Sequence, residues 1–334
     1  MTFKSKWEKA DQHFQLNEST IENMLRLASP NKKLASFEII SGGCANLNIK
    51  FSFTNSSAPL ILRIYLRDKD AAYREQKLAT LVKGSIPVPE VYFVNDVDDY
   101  RFAIVEYKHG ITLRELLLSG QIDNIQDVMI EVGSALAKIQ NHRFSQSGFF
   151  DKDLHIKDSI EADFCTTYIK KCLEHPTITK KISEENISKI HQHLEKYHFL
   201  FPDGSQRNLV HADFDPANIL VQHIQGKWEI SAILDWEFAF SGSTLCDVAN
   251  MLRYAHHMPP EYETAFLYGL QSGGVQLPEN WRISIFLLNL LSLLDCLMHC
   301  PPEQRPNQCA DICELISFII HHLDNCQDWD WGQA

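Results

Sequence analysis

The chain has 334 residues, 45% hydrophobic and 22% charged, proportions usual for a globular protein and enough length for two lobes. A formal net charge of −12 argues against a nucleic-acid binder that relies on phosphate contacts. Residues 1–110 carry 15 Lys and Arg against 13 Asp and Glu, whereas residues 111–334 carry 16 against 30; the C-terminal part is either an ordinary solvated surface or a field that attracts a cation.

In chain order, residues 18–28 have helical spacing. "FEIISGGCANLNIKFSF" reads as strand, glycine turn and strand, with Leu47, Ile49, Phe51 and Phe53 alternating in the second half. "LILRIYL" is a third strand, "DAAYREQKLATLVKG" a helix ending at Gly84, "IPVPEVYFV" an extended piece and "RFAIVEY" another strand. After a short linker at Glu106–Gly110, Thr112 and Glu115 have capping-box spacing before an apolar run. Helices then dominate, over roughly 112–119, 124–141, 159–174, 184–198, 243–256, 261–271, 280–299 and 307–325, interrupted by three strand-like pieces, "NLV", "NILVQ" and "WEISAIL". The pattern predicts an α+β protein of two lobes: residues 1–106, a small antiparallel sheet with a leading helix, and residues 107–334, mostly helical, with a helical insertion at 151–205. The apolar run Ile283–Met298 is short for a membrane span, contains Asn289 and Asp295, and reads as a buried helix. Nine cysteines without a C-x-x-C pair fit reduced thiols rather than a zinc site or disulfide framework. The start, "MTFKSKWEKADQHF", has no apolar signal core, so a cytoplasmic location is expected, with no membrane or nucleic-acid partner.

The most informative stretch is "HADFDPANIL", 211–220, set between two apolar strands. Crowding carboxylates there has no structural benefit, because burying an unpaired charge is costly. The spacing is H-x-D-x-x-x-x-N, that of a phosphotransferase loop. Asp213 can accept or orient the proton of an attacking hydroxyl, Asn218 can offer a carbonyl oxygen to a metal, and His211 can hold the backbone from beneath. Seventeen residues beyond Asn218, Asp235 ends an apolar strand and would complete an oxygen-ligand site for Mg²⁺. In the N-terminal lobe, Ser41, Gly42, Gly43 and Asn46 lie in a glycine turn whose amides can approach phosphates. Arg63 on the third strand and Glu75 on the next helix form a cation–carboxylate pair suited to holding α/β-phosphates.

These motifs, in this order over about residues 36–256, resemble the aminoglycoside phosphotransferase/choline kinase family, small-molecule kinases with a bilobal protein-kinase-like fold. The resemblance rests on "SGG..N", "LILRIY", "YREQKLATLV", "IPVPEVY", "AIVEYKHGITL", "LVHADFDPANIL", "ILDWEFAFSG" and "DVAN". It implies ATP or GTP in the cleft, with the purine on the backbone near Val105, Glu106 and Tyr107. It implies Asp213 as base, Asn218 and Asp235 as Mg²⁺ ligands, and Asp247 as a brace for the loop. Ala212 stands where glycine is common, which is harmless if its φ is negative. The expected activity is a Mg²⁺-dependent kinase that phosphorylates a hydroxyl of a small, cationic acceptor resembling an aminoglycoside, choline or ethanolamine. The alternatives are a kinase of a neutral or amino-acid hydroxyl, and a nucleotide-binding regulator without transfer.

The acceptor side is less legible. Asp215 and Glu237, beside the expected catalytic groups, could face an amine or be solvated loop carboxylates. Asp295, alone in an apolar helix, is either paired with a buried donor or an acceptor-amine ligand. Glu161 and Asp163 are weaker candidates, and Trp329 or Trp331 in the tail could supply cation–π faces.

Overall fold

Alternation places Leu47, Ile49, Phe51 and Phe53 on one face of a strand, and that face carries the core of the N-terminal lobe. The computed structural model describes residues 3–8, 16–40, 46–54, 58–120 and 125–326. The first lobe runs α1 (Glu18–Ala28), β1 (Leu34–Ile40), β2 (Asn46–Phe53), β3 (Leu60–Tyr65), α2 (Ala71–Val82), β4 (Val91–Val97) and β5 (Tyr100–Glu106). Its strands form one antiparallel sheet in the order β1-β2-β3-β5-β4. Helix α1 lays Ile21, Met24 and Leu25 on the sheet, whereas α2 sends Leu78 and Val82 into the core of the second lobe and so ties the two together.

The chain then crosses to β6 (Ile111–Thr112), α3 (Leu113–Ser119), α4 (Ile125–Ile139), β7 (Gly148–Phe150), β8 (Ile156–Ser159), α5 (Phe164–Leu173), α6 (Pro176–Lys181) and α7 (Glu184–Tyr197). It continues with β9 (Asn208–Val210), β10 (Ile219–Ile224), β11 (Lys227–Ile233), β12 (Phe240–Gly242), α8 (Leu245–Leu252), α9 (Pro260–Ser272), α10 (Trp281–Met298) and α11 (Pro306–Asp324). The capping box forms as its spacing predicts: Thr112 Oγ1 accepts the Glu115 N–H, and the Glu115 carboxylate accepts the Thr112 N–H at 2.7 Å. Thr112 also pairs with Leu220 of β10, which fixes the start of the second lobe beside the 211–218 loop. Strands β11-β10-β6 and β8-β7-β12-β9 make two small antiparallel sheets around that loop.

Helix α10 has the length and hydropathy of a membrane span, yet Ile283, Leu287, Leu290 and Leu294 are buried inside the lobe, as the sequence reading expects. Three features differ from that reading. The segment 151–205 opens with a strand, β8, before its helices, and β7, β8 and β12, only three or four residues each, are too short to show a period of two. The helix expected over 243–256 ends at Leu252 and gives way to a 3₁₀ turn at Ala255–His257. Residues 3–8, grouped by sequence with the first lobe, pack on the second: Phe3 is buried in the larger core, and the Glu8 carboxylate accepts the N–H groups of Asn307 and Gln308 at the start of α11.

Candidate active site

The loop 211–218 joins β9 to β10 and is held from below by buried polar groups. Asp247 on α8 accepts the N–H of His211 at 2.8 Å and of Ala212 at 2.9 Å. Burial pushes its carboxyl up to about 7 in spite of these two donors. Asn250, one turn further on, donates to the Ala212 carbonyl at 2.8 Å. Ala212 has φ +70°, so the negative φ on which its harmlessness depended is not realised. A left-handed alanine costs about 1–2 kcal/mol, and the bonds from Asp247 and Asn250 to both its peptide groups hold it there.

His211 is fully buried. Its Nδ1 accepts the Asp213 N–H at 3.2 Å, so the proton sits on Nε2, which donates to the Leu234 carbonyl at 2.8 Å. Burial holds the imidazole below its ordinary value of 6.5. For a depressed pKa the stabilising contribution is complete above the unfolded value and is lost as pH falls through the folded one. Acidification below about 6.5 should therefore lower the thermal midpoint of the wild type more steeply than that of His211→Gln, followed by calorimetry from pH 7.5 downwards. Parallel curves would mean that this ring is not held neutral by the fold.

Asp213 has one carboxylate oxygen bonded to Asn218 Nδ2 at 2.8 Å and the other to the Lys4 ammonium at 3.0 Å. Burial alone would raise its pKa, but Lys4 outweighs burial and holds it below the usual range. Asp215 is buried; one oxygen accepts the Ala217 N–H at 2.7 Å in a side-chain-closed turn, and the other is paired with Lys4. The amine that Asp215 faces is thus the chain's own. Burial would lower the Lys4 pKa, but Asp213 and Asp215 together raise it well above the ordinary value. No local pattern marks Lys4, which lies 209 residues from Asp213.

The hairpin β10–β11 brings the other half of the motif back, with Ile219 opposite Ile233 and the Leu234 N–H on the Asn218 carbonyl at 2.8 Å. Asp235 follows β11 with φ +64°. The Asn218 amide nitrogen is committed to Asp213, and no bond to its side-chain carbonyl oxygen is formed among the described residues. Asn218 and Asp235 together form an all-oxygen donor set without imidazole or thiolate, which fits Mg²⁺.

From the first lobe, the Arg63 guanidinium bridges Glu75 at 3.1 Å and Asp235 at 2.5 Å. The Tyr65 hydroxyl donates to the second Glu75 oxygen at 2.5 Å. Burial pushes the Glu75 carboxyl up against the pull of Arg63. Asn46 Nδ2 donates to Glu237 at 2.7 Å, and Arg74 donates to the Glu237 carbonyl at 2.8 Å. Burial, with Asp235 adding to it, pushes Glu237 up to about 7. Among the described residues, three buried polar atoms near Asp235 have no partner: Arg63 Nε, Glu237 Oε1 and Asn46 Oδ1. Such atoms are costly unless a ligand or water satisfies them, and their clustering here marks a place built for polar ligand groups. At the lobe crossing, the Glu106 N–H is bonded to Glu90 at 2.8 Å, and its carboxylate is paired with Lys108. Tyr107 lies under the Lys50 ammonium at 4.8 Å. Ser41, Gly42, Gly43, Trp329 and Trp331 lie outside the described residues.

A cavity of about 920 Å³ opens beside the loop, touching it at Ala212 and reaching Glu237, Asn250 and Asp295. Asp295 accepts a hydrogen bond from Tyr168 and is part-exposed, with 41% of its side chain accessible. Of the expected acceptor groups, Glu237 and Asp295 share this cavity; Asp215 does not line it, and the exposed Glu161 and Asp163 stand outside it. Phe149, Phe164, Tyr168, Phe238 and Phe240 give it an aromatic wall, with Phe164 and Tyr168 stacked at 5.7 Å.

A model of the phosphotransferase enzyme family matches residues 36–282. The fold is similar to that of aminoglycoside phosphotransferase APH(4)-Ia, with a TM-score of 0.70 at 18% identity over 95% of this chain and 100% of that one. It is also similar to spectinomycin phosphotransferase APH(9)-Ia in complex with ADP and spectinomycin, with a TM-score of 0.59 at 10% identity over 95% and 100%. The gentamicin–APH(2")-IIa complex gives a TM-score of 0.59 at 14% identity over 95% and 98%. No curated protein sequence matches the chain significantly. The family match takes in the five-stranded sheet, the loop between β9 and β10 and the helical lobe as far as α9, most of the sequence: the chain belongs to the phosphotransferase enzyme family and is a kinase that acts on an alcohol group.

Proposed function

We propose that this kinase transfers the γ-phosphoryl group of ATP or GTP to the hydroxyl of a small cationic acceptor with an apolar body. The observation that carries this reading is the cavity beside Ala212, where an aromatic wall faces Asp295, a part-exposed carboxylate and the one acid on helix α10. Alkylated ammonium groups bind well between ring faces and a carboxylate. The charged side chains lining the cavity are six acids and three bases, the sign that favours a cation.

In this reading Asp213 takes the hydroxyl proton as phosphoryl transfer proceeds, and its bond to Asn218 holds the carboxylate in orientation. Arg63, kept in place by Glu75, contacts the nucleotide phosphates, with Asn46 beside them; the backbone at Glu106 and Tyr107 receives the purine. Asn218 and Asp235 would hold Mg²⁺, which when bound neutralises charge on the phosphates.

Nucleoside-diphosphate release should be measured with ATP and GTP against hygromycin B, choline, ethanolamine, N-benzylethanolamine, homoserine and a neutral sugar. A cationic acceptor with an apolar substituent is expected to respond best. Asp295→Asn should raise its KM roughly tenfold, the scale of a cation–carboxylate contact in a partly wet site. Stimulation by the sugar alone, unaffected by Asp295→Asn, would overturn the cationic acceptor.

A further inference from the structure

Lys4 connects the N-terminal segment to the expected catalytic loop. Its ammonium bonds one oxygen of Asp213, and also one oxygen of Asp215, whose other oxygen is tied to the loop backbone. The segment that delivers it is built onto the second lobe at several points. Phe3 is 2% exposed, with its ring 5.3 Å from Tyr254 and 6.4 Å from Tyr262. The Trp7 N–H donates to Asp311 at 2.8 Å, and the same carboxylate accepts the Tyr254 hydroxyl at 2.6 Å. Glu8 caps α11. Phe3 and Lys4 both have positive φ, +41° and +61°, a conformation that persists only where surrounding contacts impose it.

We infer that Lys4 is a positioning residue for Asp213, supplied to the catalytic loop by the N-terminal segment. Two carboxylates directed at one point repel unless a cation stands between them. With Lys4 present, each has one oxygen held by the loop and one by the ammonium, so the Asp213 carboxylate has a single orientation. Without it, the pair would rotate apart or share a proton, and either change removes the base from its place. Lys4 does not cover Asp213, whose side chain remains 30% exposed to an incoming hydroxyl. The anchors at Phe3, Trp7 and Glu8 hold the ammonium in advance, so little entropy is lost when substrate arrives.

This inference rests on Asp213 being the base, and the test separates the two. The probe is Mg·ATP with water as the acceptor, read as phosphate release by the full chain. Lys4→Met should lower kcat by about ten- to a hundredfold while leaving the KM for Mg·ATP within about twofold, and Lys4→Arg should restore most of the loss. A purely structural role would not separate kcat from KM or distinguish arginine from methionine. Trp7→Phe, which removes one anchor and keeps the core aromatic, should lower kcat by a few-fold even if Lys4→Met does not fold. An unchanged kcat in Lys4→Met would overturn the inference, and an increased one would make the segment an inhibitory plug instead. Asp213→Ala releasing phosphate at the wild-type rate would remove the base itself. Failure of the wild type to release phosphate over a day would withdraw both readings. Loss in Asp213→Ala with no loss in Lys4→Met would overturn only the role of Lys4.

Discussion

Asp213→Ala should reduce acceptor-dependent turnover by about 10²–10⁴, the contribution of a positioned general base. The size follows from the care with which the carboxylate is held. His211 and Asp247 hold the backbone on its N-terminal side, Asn218 holds one carboxylate oxygen and Lys4 the other. Asp213 is kept ionised although burial opposes it, so it can accept a proton at neutral pH. The alanine variant should keep its fold, because Lys4 retains Asp215 as a partner and Asn218 retains the Asp213 carbonyl. Initial rates with the best acceptor, together with nucleotide affinity, are the measurement. Near-normal turnover would exclude Asp213 as the base, and a raised KM at constant kcat would make it a binding group.

Asp235→Ala should abolish the Mg²⁺ dependence of nucleotide binding, a loss of at least about a hundredfold in affinity at saturating metal. Calorimetric titration of ADP with and without Mg²⁺ reads this directly. The variant should stay folded, losing about 1–2 kcal/mol for an alanine at φ +64°. Asp235 is one of three acids, with Glu75 and Glu237, crowded around Arg63, and it contributes to raising the pKa of both the others. Removing it relieves that repulsion while Arg63 keeps Glu75. Lost Mg²⁺ dependence in a variant that keeps its cooperative thermal transition is therefore a statement about ligation. Retained Mg²⁺ dependence would take Asp235 out of the metal site.

Much of the architecture is legible in short-range pattern. Alternation in residues 46–53 becomes β2, Thr112 and Glu115 close their capping box, and the apolar run 283–298 becomes the core helix α10. The loop could be read for the same reason. H-x-D-x-x-x-x-N between two apolar strands implies a turn that returns Asn218 to Asp213, and the 2.8 Å bond between them is that return. Asp235 at the end of the following strand is brought back by hairpin pairing alone.

Other parts depend on contacts that spacing does not encode. The sign of φ at Ala212 follows from Asp247 and Asn250 on a helix more than thirty residues away. The partner of Asp215 is decided by residues 3–8 docking on the second lobe, not by the loop. The cavity wall is assembled from β7, α5, β12 and α10, and neither its aromatic character nor the place of Asp295 in it is visible in any one segment. The physical division is between local and long-range order. Helix caps, strand alternation and hairpins satisfy backbone groups within a few residues, so composition and period specify them. Closing the chain from Lys4 to Asp213 costs entropy that the packing of Phe3 and the hydrogen bonds of Trp7 and Glu8 help to offset, and those contacts exist only in the folded protein.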